Sequence, residues 1–358
     1  MTLDKFKSQL FLFAQFILVW IIATFFFSFL RNYGVEERFN QSPVRDLDPS
    51  QGLSVNFVVG IVAGITYGIL ELLFDRPYFQ KNSYGRIILG KILLSLISVK
   101  VIMAIALTLI GTFKGVYLTH EAYVETLTSK TYWVLAVYFI FIAGLISFVR
   151  MVSNKFGPGI LWKMFIGKYR NPREEQRIFM FLDLKSSTTI AEKLGHVKFS
   201  NLIQDCFADL TPVIIDHKVE VYQYVGDEAV LCWPVEAGME NNNCIHCFFD
   251  YKKELASKAA YYQREYGLTP FFKAGVHMGK VIVAEVGLIK REIAYHGDVL
   301  NTAARIQSRC NHFNQPLIVS ETLFKQLRPD PDITSQELGE ELLRGKEKGV
   351  NIYGISKV

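Results

Sequence analysis

Cysteine is scarce and unevenly placed: there are five, at positions 206, 232, 244, 247 and 310, all in the C-terminal half. An odd number without regular spacing excludes a disulfide framework and points to a reducing compartment. Charge is thin as well, at 20% of the 358 residues with a net +5. No dense basic tract and no zinc-finger spacing occurs, which excludes nucleic acid as a partner. What the chain has in excess is apolar surface, 50% hydrophobic residues with a mean hydropathy of +0.21. That excess lies almost entirely before residue 155.

Four segments there, about 9–30, 54–74, 87–111 and 132–152, are apolar enough to cross a bilayer, which takes roughly 20 residues per helix. A signal peptide is the competing reading of the first. Its apolar run is long, however, and no small-residue cleavage motif follows it cleanly. Lys and Arg near the spans set the orientation. The 75–86 connection carries Arg76, Lys81 and Arg86 against Asp75, and Arg150, Lys155, Lys163, Lys168, Arg170 and Arg173 follow the fourth span. The 31–53 loop balances its charges. Both termini are therefore expected in the cytoplasm, with the chain a multi-pass protein of the inner (plasma) membrane. Glu71 and Lys91 sit near the cytoplasmic ends of spans two and three and could pair. Lys100, near the middle of span three, is expected to face the bundle interior or a wet cavity. The expected division is a membrane domain over 1–152, a juxtamembrane linker over 153–176 and a cytoplasmic domain over 177–358. Within the linker, Gly157-Pro158-Gly159 precedes a short amphipathic stretch, 160–166, that suits a helix lying close to the membrane face.

Beyond the linker, strands are expected at 177–184, 219–224, 228–233, 271–276, 281–286, 316–320 and 352–355. Helices are expected at 189–194, 197–217, 238–265, 299–309 and 321–327. The order β-α-β-β-α-β with additions is the ferredoxin-like α+β arrangement. The first strand ends in Asp183, and a hydroxyl-rich turn, Ser186-Ser187-Thr188, opens the next helix. Asp227 lies at the tip of the hairpin that follows. A single strand-end Asp is commonly a turn former or cap. Two that share a sheet edge are what a site for Mg²⁺ and phosphate requires, and helix-opening N–H groups suit phosphate oxygens. Further on, Asn301 and Arg305 are four residues apart on a helix and share a face. An amide beside a guanidinium suits a sugar oxygen and a phosphate.

Phe181-Leu182-Asp183-Leu184 with Ser187-Thr188, then Val225-Gly226-Asp227-Glu228, then Gly297-Asp298-Val299-Leu300-Asn301-Thr302-Ala303-Ala304-Arg305-Ile306, resemble in order the three signatures of the class III nucleotidyl cyclases. Leu343-Arg344-Gly345-Lys346 with the residues up to Tyr353 resembles that family's C-terminal ending. The resemblance covers about 170–358. It implies two Mg²⁺ or Mn²⁺ ions per active site on Asp183 and Asp227, with the Leu184 carbonyl adding an oxygen. It places the triphosphate against the 184–188 segment (Lys185, Ser186, Ser187, Thr188) and against Arg344 or Lys346. Asn301 then fixes the ribose and Arg305 stabilises charge on the α-phosphoryl group. In the family, the aspartates and the Asn/Arg pair meet across a head-to-tail dimer, so a homodimer with two equivalent sites is implied.

At the base-pocket positions, family adenylate cyclases place Lys four residues before the second metal Asp, and Asp or Thr seven before the Asn. Guanylate cyclases use Glu and a Cys-like residue. This chain has Gln223 and Ala294 there. A Gln amide both donates and accepts, and Ala294 offers no hydrogen bond, so the pair selects no base. ATP is the expected nucleoside triphosphate because adenylate cyclases are the commoner bacterial-type members. Guanylate or pyrimidine cyclases, and a non-catalytic membrane receptor with a cyclase-like nucleotide-binding domain, are the alternatives. Two further motifs are set aside. Cys244-Ile245-His246-Cys247 has no second ligand pair for a tetrahedral zinc, and the diguanylate cyclases, whose hairpin tip is similar, lack the Asn301–Arg305 helix signature.

Overall fold

The computed structural model of the chain describes residues 3–34, 49–74, 83–115, 119–157, 159–342 and 349–358. The chain divides into two compact units, Met1–Lys155 and Phe156–Val358. The second unit takes in the expected juxtamembrane linker, 153–176, from Phe156 onward.

The first unit contains α1 (Leu3–Gly34), α2 (Pro49–Phe74), α3 (Tyr84–Lys114), the short α4 (His120–Thr128) and α5 (Lys130–Phe156). Four stretches of these helices are long and apolar enough to cross a membrane: Leu12–Leu30, Ser50–Phe74, Gly85–Lys114 and Tyr132–Ser153. They agree with the expected spans to within a few residues. Backbones approach closely where side chains are absent. A Cβ on Gly60 would stand 2.7 Å from the Ile21 Cα, and one on Gly64 would land on the Ile17 backbone. Small residues four apart are the usual means of close helix contact in lipid. Trp20 fills the resulting interior, stacked on Tyr67 at 4.4 Å and tilted against Phe139 at 4.9 Å.

Glu71 is buried and accepts from Lys91 Nζ at 2.8 Å through both oxygens and from Ser147 Oγ at 2.5 Å, with Arg150 Nη1 at 3.7 Å. The expected pair is therefore part of a larger polar cluster that ties α2, α3 and α5 together. The expectation for Lys100 is corrected. It is exposed, and its Nζ lies 5.9 Å from the centroid of Tyr132, where the fourth span starts. The amine thus faces outward over an aromatic ring instead of into the bundle interior.

The second unit is a mixed sheet with helices. Its elements are α6 (Ile160–Phe165), β1 (Arg173–Leu184), α7 (Ser187–Leu194), α8 (His196–Asp216), β2 (Glu220–Val225), β3 (Glu228–Pro234) and α9 (Val235–Met239). There follow α10 (Asn243–Ser257), α11 (Ala259–Tyr266), β4 (Phe272–Val286), β5 (Glu292–His296), α12 (Asp298–Arg309), β6 (Leu317–Ser320), α13 (Glu321–Phe324), β7 (Ile333–Glu341) and β8 (Val350–Lys357). The strand order is β2-β3-β1-β4-β6-β8-β7, with β5 pairing the far end of β4. β1 and β4 are central and pair antiparallel along all of β1, from Arg173↔Val283 to Leu184↔Phe272.

Three expectations change here. The stretch 277–280 is no turn but the middle of one continuous strand, and its Gly279 serves the packing of α12, because a Cβ there would meet Val299 Cγ2 at 2.7 Å. The helix expected over 238–265 is broken by Asn241 and Asn242, both with left-handed φ near 50°, a region that Asn tolerates. Asn242 is held in place by a two-point clamp on the Arg328 backbone, at 2.9 Å each way. The strands β5 and β7 were not foreseen.

One sheet face carries the main core, with Trp233, Phe248, Tyr251 and Tyr262 under α8, α10 and α11. On the other face Phe179, Val230, Cys232 and Val283 pack with Tyr169 and the Val299 and Ala303 side of α12. Arg177 is buried at 2% exposure. It bonds Glu175 at 2.7 Å and Glu220 at 2.8 Å, and its guanidinium lies over the Tyr295 ring. Lys163 of α6 shares Glu220 at 2.8 Å, and Lys168 shares Glu175 at 3.2 Å.

Two predictions follow from this packing. The Gly275 position lies under α12, where a Cβ would land on the main-chain nitrogen of Gln307 and the carbonyl of Ala303. Gly275→Ala should cost about 1–3 kcal/mol in thermal unfolding and displace α12, and an unchanged melting temperature would contradict the close contact. Burial works to raise the Glu175 and Glu220 carboxyls, but Arg177 and the two lysines outweigh it and hold both below the usual 4.5. Depressed carboxylates stabilise fully above the unfolded value and lose that contribution as pH falls through the folded value. Stability should therefore drop on acidification below about 4.5. Arg177→Met should cost about 3–5 kcal/mol at neutral pH and flatten that acid loss; a variant with the wild-type acid profile would contradict the network.

Candidate active site

Asp183 is placed by the β1 register, directly across from Glu228 on β3 and Lys273 on β4. The turn between β2 and β3 is only Gly226 and Asp227, and Gly226 supplies the left-handed residue at φ 61°. A tight hairpin beside the end of β1 thus puts three carboxyl groups, Asp183, Asp227 and Glu228, at one edge of the sheet. Lys273 Nζ stands 3.3 Å from Asp183 Oδ2, and Gln307 Nε2 donates to the same oxygen at 2.8 Å. Burial pushes the Asp183 carboxyl up, Lys273 pulls it back, and Asp227 pushes it further up. Burial with the charges of Asp183 and Asp227 pushes Glu228 up to about 7. The negative charge here exceeds what one lysine neutralises.

This donor set fits a divalent cation, with a limit on how. No group of three or more His, Cys, Asp or Glu side chains is arranged to hold a metal among the described residues. The side chains offer two aspartates, and a hard cation would complete its oxygen shell from carbonyls, phosphate and water.

The expected triphosphate segment runs from the end of β1 into α7. Ser186 adopts left-handed φ of 59°, and its carbonyl accepts from Ile190 N–H at 3.1 Å. Ser187 and Thr188 then open α7. Lys185 departs from the expected backbone cradle, since its N–H already donates to the Phe271 carbonyl at 2.8 Å. Its side chain lies over the Phe271 ring, which Lys252 also faces. Arg344 and Lys346 lie outside the described residues.

Helix α12 carries the Asn/Arg pair, and its packing decides where the pair points. Val299, Thr302, Ala303, Ile306 and Gln307 form its buried face. Asn301 is exposed and Arg305 half-buried, on the face turned away from the sheet. The spacing along the strand adds to this. Val299 stands over Gly279, and Ala303 and Gln307 over Gly275, so Asn301 is level with about position 277, four strand residues from the Lys273–Asp183 pair. At about 3.3 Å per residue that is roughly 13 Å. One chain therefore brings Gln307 to its own Asp183 and keeps Asn301 away from it. Arg305 Nη1 is buried with no hydrogen-bond partner, a cationic donor without an acceptor.

The base-pocket positions lie on β2 and β5. Gln223 is exposed and pairs with Val230, and Ala294 pairs with Ala284. Their neighbours Tyr222 and Tyr295 meet edge to face at 5.0 Å, which joins the two strands. Cys244 and Cys247 are buried core residues, and His246 bonds Asp330 at 2.7 Å, so that triplet is structural.

Sequence reasoning missed Lys273 and Gln307. The first had a signal, a lysine interrupting the apolar run 271–276. The second had none, because nothing marks a Gln on a helix face as the partner of an aspartate 124 residues away.

The chain is similar to several known proteins. The chain is 31% identical over 220 residues to "Adenylate cyclase 2" of Rhizobium meliloti (strain 1021), covering 62% of this chain and 61% of that protein. It is 20% identical over 222 residues to "Adenylate cyclase" of Anabaena cylindrica, covering 58% of this chain and 42% of that protein. The chain thus spans less than two thirds of either relative. A solved bacterial light-regulated adenylyl cyclase shares the fold with a TM-score of 0.54 at 18% identity, over 64% of this chain and 67% of that one. Residues 170–357, just over half of the chain, match the family described as adenylate and guanylate cyclase catalytic domain, and the chain belongs to that family.

Proposed function

We propose that the protein is a membrane-anchored nucleotidyl cyclase that works as a homodimer and converts ATP to 3′,5′-cyclic AMP and pyrophosphate. The observation that carries this reading is the opposite orientation of two half-sites in one chain. The acidic edge of Asp183 and Asp227 has too few cations, and the Asn301–Arg305 face has a donor without an acceptor. A second copy related by a two-fold axis supplies each with the other, twice over.

In the reaction the ribose 3′-oxygen attacks the α-phosphorus in line. The bond from that phosphorus to the bridging oxygen of the β-phosphate breaks, pyrophosphate leaves, and the hydroxyl proton passes to solvent. Asp183 and Asp227, with the Leu184 carbonyl, would hold two Mg²⁺ or Mn²⁺ ions, which lower the pKa of the 3′-hydroxyl and neutralise the triphosphate. Arg305 aims its guanidinium at the α-phosphoryl oxygens, where charge builds in the transition state. Asn301 hydrogen-bonds the ribose and orients the attacking oxygen. Lys273, already beside Asp183, adds a cation at the phosphate end. Ser187 and Thr188 offer the opening of α7 to the phosphates, and Arg344 or Lys346 would neutralise their far end.

ATP is chosen because the 31%-identical relative is named an adenylate cyclase, while relatives named guanylate or guanylyl cyclase match at 26% and 25%. Gln223 is compatible with either purine. The lysines and arginines beside the spans support a cytoplasmic N-terminus and catalytic domain at the inner membrane.

Asp227→Asn and Arg305→Ala should each lower cyclic-nucleotide synthesis by about 10²–10³-fold or more without changing the melting temperature. Co-expressed, the two variants should recover activity through one intact site per heterodimer. Inactive mixtures that still dimerise would contradict the shared site. Full-length protein in membranes, given each of the four nucleoside triphosphates with Mn²⁺, should form cyclic AMP fastest. A faster rate with another triphosphate would reassign the base, and no product from any would remove the enzymatic reading.

A further inference from the structure

The buried face of α12 is Val299, Thr302, Ala303, Ile306 and Gln307. Three of these are apolar, and Thr302 returns its hydroxyl to the Asp298 carbonyl at 2.9 Å inside the helix. Gln307 is different. It is 7% exposed and its amide reaches out of the helix. A buried amide is costly unless it is hydrogen-bonded, and the bond Gln307 makes is to Asp183 Oδ2 at 2.8 Å. Packing fixes this bond. The Gln307 backbone lies over Gly275, where a Cβ would land on its main-chain nitrogen. Gly275 is two residues along β4 from Lys273, which faces Asp183 across the strand register. Two residues are roughly 6–7 Å along a strand, a span that calls for a long side chain.

Two donors therefore meet Asp183, and they differ in kind. Lys273 Nζ stands 3.3 Å from the same Oδ2. Its ammonium is a point charge on a flexible stem, which a triphosphate would also attract. Gln307 carries no charge, so it neither repels a divalent cation nor follows the phosphates. Both contacts fall on Oδ2, so Oδ1 is spent on neither. A metal-binding side chain held by a further hydrogen bond keeps one orientation toward its metal. A carboxylate at position 307 would repel Asp183 and a lysine would repel the cation. An amide donates without doing either.

We propose that Gln307 is a positioning residue for the cyclase reaction, fixing the Asp183 carboxylate of its own chain in the orientation that takes a divalent cation. The proposal rests on the metal site and the shared dimer site proposed above. It gives α12 two separate tasks. The buried face serves the acidic edge of its own chain through Gln307, and the outer face serves the partner's nucleotide through Asn301 and Arg305.

Gln307→Met keeps the length of the side chain and removes the donor. Mn²⁺ alone, titrated into the full-length homodimer and followed by loss of its free EPR signal, should bind the variant about 10–100-fold more weakly than wild type. The KM for ATP at saturating Mn²⁺ should stay unchanged. Gln307→Asn, whose amide is one methylene short, carries the same expectation if the Met variant does not fold. Unchanged Mn²⁺ binding would overturn the proposal, and a wild type that binds no Mn²⁺ would overturn it together with the metal site.

A second measurement separates this role from a merely structural seating of α12. In a heterodimer of Asp227→Asn and Arg305→Ala chains, the intact site takes its acidic edge from the Arg305→Ala chain and its helix face from the Asp227→Asn chain. Gln307→Met added to the Arg305→Ala chain should raise the Mn²⁺ concentration needed for activity, and added to the Asp227→Asn chain should not. A rise with the Asp227→Asn chain, with both placements equally, or with neither would overturn the proposal. A parent heterodimer that is inactive before any change at 307 would count against the shared site instead, and Mn²⁺ binding by the homodimer would then decide the role of Gln307.

Discussion

Helix α12 can give only one face to its own sheet, and two glycines decide which. The bare backbone at Gly275 and Gly279 lets the helix settle until Val299, Ala303 and Gln307 touch β4. Once that face is committed, the 3.6-residue period leaves Asn301 and Arg305 on the other side. Gln307 is drawn onto Asp183, while Arg305 Nη1 finds no acceptor in its own chain. The shared-site dimer proposed above rests on this packing constraint. A helix held less closely could roll and bring its arginine nearer to its own aspartates.

The electrostatics of the acidic edge fit the same picture. Asp183 ends a strand that is otherwise deeply buried, and its carboxyl is pushed up by burial and by Asp227 against the pull of one lysine. Such an edge is costly for the protein alone, and the proposed divalent cations and triphosphate would offset that cost. The cost is borne where the domain can bear it, beside a continuous β1–β4 ladder and above a core of large aromatic residues. Stability and activity thus lean on the same two strands, with the stabilising ion network of Arg177 at one end and the reactive carboxylates at the other.

Much of this was legible in the residues. The four spans announce themselves by length and hydropathy, and the order of strands and helices around Asp183, Asp227, Asn301 and Arg305 is local information. Features that depend on distant partners were not legible. The stretch 277–280 reads as a turn because Gly279 breaks the apolar run, yet that glycine exists for Val299. The break in the helix over 238–265 rests on a backbone clamp at Arg328. Lys100 reads as a buried charge when judged by its place within its own span, and only its contact with Tyr132 shows that it stands beside the start of another. Lys273 entered the site through strand register and Gln307 through the packing of α12 on Gly275, and no single segment encodes either.

The central claim is that each site is built from the acidic edge of one copy and the Asn301–Arg305 face of another. A structure of the full-length dimer with manganese and a non-cyclisable ATP analogue tests it directly. The account predicts metal on Asp183 and Asp227 of one copy, with the α-phosphate of the same nucleotide bonded to Arg305 of the other. A nucleotide bound by Arg305 and Asp183 of a single copy, or aspartates free of metal and pointing apart, would contradict it.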